Sequence, residues 1–361
     1  MKKIIAIFGC QSSEHDVSVI TAVEALNACP YGEYKIYPIY VKDGVWYSSE
    51  SMFDINVFID FDEKKHKKVA LIGKNLYFNK RGKWKLLDAV DGALLLTHGG
   101  QGESGELQGF LELLGVPYTS CDTQVSAVCM DKYLLKLALK DLKISVVKGA
   151  VITDTSEESL MEIEKKIGYP AFVKPNAQGS SIGVGLAHDR AELKERLAVA
   201  FEYDKRVLIE RFIGGATEYN CAVVKAGDVI LVSEIEKPIN SGEFLTFSDK
   251  YLDFSKTACL CKREFPAKIS EKLREEIRSI SEKVYTELGL FGIVRFDYMY
   301  DGRLYLNEVN TIPGSLAHYL FPNLSYTDLL KILIDEGLER GVKEYGKYDS
   351  GVLRELGEIR K

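Results

Sequence analysis

The chain begins with an apolar run that does not alternate. In KIIAIFG, ending at Gly9, the positions Ile4, Ile5, Ala6, Ile7 and Phe8 are all hydrophobic, and a glycine stops the run. A short continuous run closed by a turn residue marks a strand buried on both faces. YKIYPIYV (34–41) and ALLLTHGG (93–100) read the same way. Between them, residues 17–28 and ELQGFLELLG (106–115) carry the 3.6-residue period of helices. Strands alternating with helices predict a parallel sheet in an α/β domain.

Past residue 122 the pattern changes. MDKYLLKLALKDL predicts a helix with Asp131 near its start, VVKGAVI a strand, and a further helix ends at Gly168. AFVKP and IGVGLA predict two strands around the loop NAQGSSIG, and RVLIERFI a strand running into Gly214-Gly215. EYNCAVVKAGDVILVSEIE reads as a hairpin turning at Gly227-Asp228, and residues 238–256 as a polar irregular loop. Loops of that length inside a domain are usually functional or disordered. A helix over 268–288 leads into GIVRFDYMYDGRLYLNEVN, a hairpin turning at Asp301-Gly302. A last amphipathic helix starts near Tyr326, and the charged end 341–361 reads as a peripheral helix or frayed tail.

Composition narrows the class. At 361 residues the chain is long enough for two or three domains. A net charge of −6 argues against a nucleic-acid or acidic-membrane partner, so any anion site must be local. MKKIIAIFGC begins like a signal peptide, but its apolar run is too short, and no run approaches the roughly 18 apolar residues of a membrane span. The seven cysteines, Cys10, Cys29, Cys121, Cys129, Cys221, Cys259 and Cys261, form no CxxC pair. That usage predicts a reducing, cytoplasmic setting.

Four stretches carry candidate chemistry. With a two-residue loop at Asp301-Gly302, Arg295 falls opposite Glu308 and Asp297 opposite Leu306. Arg295, Asp297, Glu308 and Asn310 then share one face with Leu306, and the two carboxylates are diagonal neighbours about 7–8 Å apart. Two carboxylates and an amide suit magnesium, and an adjacent arginine suits a developing oxyanion. Taken alone, the same face also fits a solvated surface with an Arg295–Glu308 ion pair. The loop NAQGSSIG is not a Walker A loop, but the amides of Gly179, Ser180, Ser181 and Ile182 would cradle phosphates, with Lys174 just before them. A flexible hairpin with a solvated lysine is the competing reading. HGGQGESGELQG (98–109) and GCQSSEHDVS (9–18) each follow a buried strand and precede a helix, where open α/β sheets bind ligands. His98 alone also suits a structural role, and Glu14 a favourable helix N-terminal charge.

Together these stretches resemble the D-alanine–D-alanine ligases of the ATP-grasp superfamily. The resemblance runs through GCQSSEHDVS, THGGQGESGELQG, MDKYLLK, FVKPNAQGSSIGV, LIERFIGGATEYN, DKY, VRFDYMY and LNEVNTIPG, in family order, from residue 9 to 314. It implies a three-domain α/β ATP-grasp architecture: an N-terminal parallel-sheet domain over 1–122, a central domain over 123–215 and a C-terminal domain over 216–361. It implies ATP-dependent ligation of two D-alanines through an acyl phosphate, for peptidoglycan synthesis. A related ligase with a different second substrate is the alternative.

The resemblance also assigns residues. Lys132, Lys174 and Ser181 would contact ATP phosphates, Glu210, Arg211, Phe212 and Ile213 the adenine, and Glu218 the ribose. Asp297, Glu308 and Asn310 would hold two magnesium ions, with manganese as a substitute. Glu14, Val17 and His98 would bound the first D-alanine, and Arg295 with the Gly314 amide would stabilise the oxyanion. Lys250 and Tyr251 would sit on a lid, with Tyr251 bonded to Ser180 and Ser180 to Glu14. Small amino acids are the implied partners, in a homodimer that binds neither nucleic acid nor membrane. One departure concerns the acceptor: the family's Ser-Leu pair for the second carboxylate reads Tyr319-Leu320 here. Two readings follow: Ser315, His318 or the Tyr319 hydroxyl replaces the missing hydroxyl, or the second-substrate pocket has a different shape. A smaller departure is Glu103-Ser104, where the family usually shows an acidic pair.

Overall fold

The computed structural model describes all residues except 240–262, 344–345, 347–348 and 360–361. Its first sheet has seven strands in the order β6-β5-β4-β3-β2-β1-β7. The buried runs form its centre: β1 (Lys2–Gly9) pairs in parallel with both β2 (Tyr34–Lys42) and β7 (Gly92–Leu95). Helix α1 (His15–Ala28) packs on β1.

The expectation of a parallel sheet holds for those three strands only. β3 (Val45–Ser48), β4 (Lys67–Ile72), β5 (Asn75–Lys80) and β6 (Lys83–Ala89) extend the sheet antiparallel. Two-residue turns join β2 to β3, β4 to β5 and β5 to β6, too short for a crossover helix, while the longer link 49–66 between β3 and β4 also returns antiparallel.

The second sheet, β10-β9-β11-β8, is antiparallel: β8 is Gly149–Ile152, β9 Ala171–Pro175, β10 Gly185–Ala187 and β11 Val207–Arg211. The helices Glu157–Lys166 and Arg190–Phe201 begin at Ser156 and Asp189, whose side chains accept from amides of the first turn. The third sheet, β13-β12-β16-β17, is built from β12 (Thr217–Ala226), β13 (Val229–Val232), β16 (Ile293–Tyr300) and β17 (Leu304–Asn310). A short pair, β14 (Lys237–Pro238) with β15 (Arg263–Glu264), flanks the undescribed stretch 240–262.

The largest core joins the first and third sheets. It contains Ile5, Ile7, Leu94 and Leu95 from the first, Ala222, Val224 and Ile293 from the third, and Leu329, Leu330 and Leu333 from the helix Tyr326–Arg340. Burying each of these leucine, isoleucine and valine side chains contributes about 1.5–3 kcal/mol. The chain's last long helix thus seals the domain that its first strand begins. Among the described residues, no helix is long and apolar enough to cross a membrane.

Candidate active site

The hairpin β16–β17 presents the carboxylate face, in a register that corrects the expected one. Tyr300 pairs with Leu304, so the loop has three residues, 301–303, and the Asp301 amide donates to the Arg303 carbonyl. Further along, Tyr298 pairs with Leu306 but Asp297 with Glu308, which leaves Asn307 as the extra residue of a bulge. Asp297 and Glu308 are therefore directly opposite rather than diagonal, and Arg295 faces Asn310. Leu306 leaves this face and joins the core with Tyr298. The longer loop and the bulge both shift the count, and neither changes the hydrophobic alternation that the expectation rested on.

Arg295 grips Asp297 with two parallel bonds, Nε to Oδ1 at 2.7 Å and Nη2 to Oδ2 at 2.9 Å. Asn310 Nδ2 donates to Asp297 Oδ2 at 3.0 Å. Glu308 lies 3.7 Å from Lys132 Nζ, and the ion pair that Arg295 makes is with Asp297. Burial opposes the charge on Arg295, and Asp297 outweighs it and lifts the guanidinium well above its ordinary range. Two carboxylates and an amide offer the hard oxygen donors that magnesium prefers, and half-exposure leaves room for waters and a ligand.

Facing this hairpin is the loop between β9 and β10. Ser180 and Ser181 sit at φ +52° and +58°, a strained left-handed conformation for residues with a Cβ. Lys132, first in the helix Lys132–Asp141, donates from Nζ to the Gln178 carbonyl at 2.6 Å. Asp131 caps that helix through the Tyr133 and Leu134 amides. One of the four amides proposed as a cradle turns inward, since the Ile182 amide donates to the Gly179 carbonyl.

Lys174, near the end of β9, is buried. Its Nζ lies 2.7 Å from Glu210 Oε2 on β11 and 3.4 Å from Asn307 Oδ1, the bulge residue. The other Glu210 oxygen pairs with Lys136, also buried. Burial works against all three charges. Glu210, with Glu308, still lifts Lys174 above its ordinary range, and the two lysines hold Glu210 below its own; Lys136 is left below. Beyond them, Phe212 stacks on Phe172 with ring centroids 6.5 Å apart. Ile213 packs with Val147 and Tyr305, with Met299 against them, while Arg211 is exposed. Glu218 stands on β12, opposite Met299.

The first sheet supplies the remaining wall. The Ser180 hydroxyl donates to Glu14 Oε1, and the Glu14 carboxylate lies where a side chain on Gly99 or Gly179 would stand. Glu14 precedes α1 but does not cap it. Val17 is buried yet belongs to none of the core clusters among the described residues. His98 is held at both nitrogens: Nδ1–H donates to the Ile312 carbonyl at 2.7 Å, and Nε2 accepts from the Thr21 hydroxyl at 2.7 Å. Burial drives its pKa down to about 4, so the ring is neutral at pH 7. Glu103 accepts from the Gly99 and Ile312 amides and the Thr311 hydroxyl, and burial together with Glu14 pushes it up to about 7.

After Gly314 the backbone turns left-handed at three consecutive residues, Ser315, Leu316 and Ala317, with φ near +47°. The Ser315 amide donates to Thr21 Oγ1 at 3.0 Å and its hydroxyl to Glu24 at 2.7 Å, so that hydroxyl is engaged on α1. His318 donates to the Ser315 carbonyl and stacks on Tyr326 at 4.1 Å. Tyr319 donates its hydroxyl to Glu236 at 3.2 Å, under the guanidinium of Arg263 at 4.5 Å. Leu320 is fully buried in the large core. Lys250 and Tyr251 lie outside the described residues. The residues not singled out from sequence are Thr21, Lys136, Glu236, Arg263 and Asn307. Only Lys136 left a sequence trace, four residues after Lys132 on one helix face.

Comparison with known proteins decides the family. The model described as D-ala D-ala ligase N-terminus matches residues 3–121, and the one described as D-ala D-ala ligase C-terminus matches 136–335. The chain belongs to the D-alanine–D-alanine ligase family. Among family members, the D-alanine–D-alanine ligase of Thermosipho melanesiensis is 38% identical over 98% of this chain and 99% of its own. The crystal structure of D-alanine–D-alanine ligase from Helicobacter pylori superposes with a TM-score of 0.75, at 30% identity, over 96% of this chain and 100% of that one. The D-Ala:D-Ser ligase VanG of Enterococcus faecalis superposes with 0.78 at 31% identity, over 92% and 98%. ATP-grasp ligase architecture follows, and with it an ATP-dependent ligase.

Proposed function

We propose that the chain joins two D-alanines into D-alanyl-D-alanine at the expense of ATP, for peptidoglycan synthesis in the cytoplasm. The carrying observation is convergence. Lys132 and Lys174, the Arg295–Asp297–Glu308–Asn310 face and the Glu14–Ser180 link come from all three sheets and the loops between them, and they meet in one place. The reading divides the chain at 1–122, 123–215 and 216–361, with nucleotide between the second and third parts, and makes it a homodimer.

In this reading the first D-alanine lies against Glu14 and Val17, and His98 holds the Thr21–Ser315 side of its pocket. Lys132, Lys174 and Ser181 take the nucleotide phosphates, Phe212 and Ile213 wall the adenine, the backbone of Glu210 and Arg211 edges it, and Glu218 takes the ribose. Asp297, Glu308 and Asn310 would hold magnesium, which supplies charge neutralisation for phosphoryl transfer when bound. The γ-phosphoryl group passes to a carboxylate oxygen of the first D-alanine, giving an acyl phosphate and ADP. The amino nitrogen of the second attacks the carbonyl carbon. Arg295 and the Gly314 amide face the resulting oxyanion. The C–O bond to phosphate breaks, phosphate departs, and the nitrogen loses a proton.

A second reading concerns the acceptor. Tyr319 stands where the family's serine does, and its hydroxyl is directed to Glu236. That favours a related ligase with a different second substrate. Mass spectrometry of products from Mg-ATP and D-alanine, alone and with other D-amino acids, L-amino acids or D-lactate, separates the two. D-alanyl-D-alanine from D-alanine alone supports the first reading. A product only with another partner supports the second, and no ATP turnover with any partner rejects both.

A further inference from the structure

Lys136 is a buried charge that no step above uses. It lies one turn beyond Lys132 and is 1% exposed. Its ammonium meets Glu210 Oε1, while Lys174 holds Oε2 at 2.7 Å. The strand opposite makes room for the carboxylate: a side chain at Gly149 would come within 3.2 Å of Glu210 Cγ. Two ammonium groups and one carboxylate thus share a volume closed to water, where unbalanced charge is costly and an apolar side chain of similar shape would avoid that cost. Lys174 alone would neutralise Glu210. With Lys136 added, the cluster carries one positive charge in excess, and its open end, toward Asn307 and Glu308, is the proposed phosphate site.

We propose that Lys136 is a positioning residue for nucleotide polyphosphate: it occupies one oxygen of Glu210, so that Lys174 keeps charge to offer a bound phosphate. The cluster is balanced when an anion arrives rather than before. This rests on the reading of Lys174 as a phosphate contact.

The test is calorimetric titration of the full chain with Mg-ADP, with adenosine by competition, for wild type, Lys136→Met, Lys136→Gln and Lys174→Met. Lys136→Met is expected to weaken Mg-ADP about tenfold or more, with adenosine affinity unchanged and the melting temperature of the nucleotide-free protein equal or higher. Steady-state kinetics should show a raised KM for ATP with the amino-acid KM unmoved. Lys136→Gln, which keeps a hydrogen-bonding group but not the charge, should behave like the methionine variant and serves if that one fails to fold. Wild-type Mg-ADP affinity in either variant overturns the proposal, as does an equal loss for adenosine. Wild type that does not bind Mg-ADP, or binds it no better than Lys174→Met, instead removes the phosphate site on which the proposal rests.

Discussion

The Ser180 hydroxyl donates to the Glu14 carboxylate across 166 residues of sequence. It ties a strained loop of the second sheet to the start of α1 on the first. A hydrogen bond to a charged group is worth about 1.5–3 kcal/mol. Ser180→Ala should therefore lower kcat/KM for the first amino acid by roughly 10- to 100-fold, with Mg-ADP affinity near wild type. Steady-state kinetics checks this, and an unchanged kcat/KM would remove the link from substrate handling.

Glu308 faces Asp297 directly and lies 3.7 Å from Lys132. Glu308→Gln keeps shape and removes charge where magnesium is proposed to sit. It should cost about 10²-fold or more in kcat while the circular dichroism spectrum stays unchanged. Near-normal turnover would take Glu308 out of the metal site.

Glu210 is the single carboxylate between Lys136 and Lys174. Glu210→Gln leaves two buried ammonium groups without it, and breaking such a pair costs about 3–5 kcal/mol. Denaturant unfolding should show that loss at pH 7. A change below 1 kcal/mol would mean that the lysines find other counter-charges.

His98 sets a pH limit. Its folded pKa of about 4 lies below the ordinary 6.5, so the fold favours the neutral ring. That contribution is complete above pH 6.5 and is lost as pH falls toward 4, by ~3 kcal/mol in all. Glu103 acts in the opposite sense: raised to about 7 from 4.5, it contributes below its ordinary pKa and loses that contribution as pH rises through 7. The two trends oppose each other and nearly cancel between pH 4.5 and 6.5, so in melting curves His98→Gln should uncover the Glu103 trend, with the melting temperature falling as pH rises from about 4.5 to 7. A variant that keeps the wild-type pH profile would assign the pH dependence to other groups.

Tyr319 binds Glu236 through its hydroxyl. Tyr319→Phe removes one neutral-to-charged bond, worth about 1.5–3 kcal/mol, and should raise the acceptor KM roughly tenfold or more without moving the KM for ATP. An unchanged acceptor KM would place Tyr319 outside the acceptor pocket.

Much of this was legible in order and pattern. The unbroken run of Ile4 to Phe8, closed by a glycine, marked a buried strand, and the amphipathic stretch after Asp131 marked a helix with that residue near its start. Period-two alternation placed Arg295, Asp297, Glu308 and Asn310 on one face, and the family stretches named the chemistry. The strands between residues 43 and 91 leave no comparable signal, because they are short, partly exposed and weakly alternating.

Local pattern determined the elements, since burial repeats along a strand or helix regardless of its partners. Only the tertiary structure decided how they meet. Alternation cannot count a bulge, so the Asp297–Glu308 pairing awaited the position of Asn307. Nor can it show that one carboxylate, Glu210, serves two lysines from different elements, or that the Tyr319 hydroxyl turns to Glu236. Those choices come from packing between segments far apart in sequence, where charge and shape are settled by neighbours that no local pattern contains.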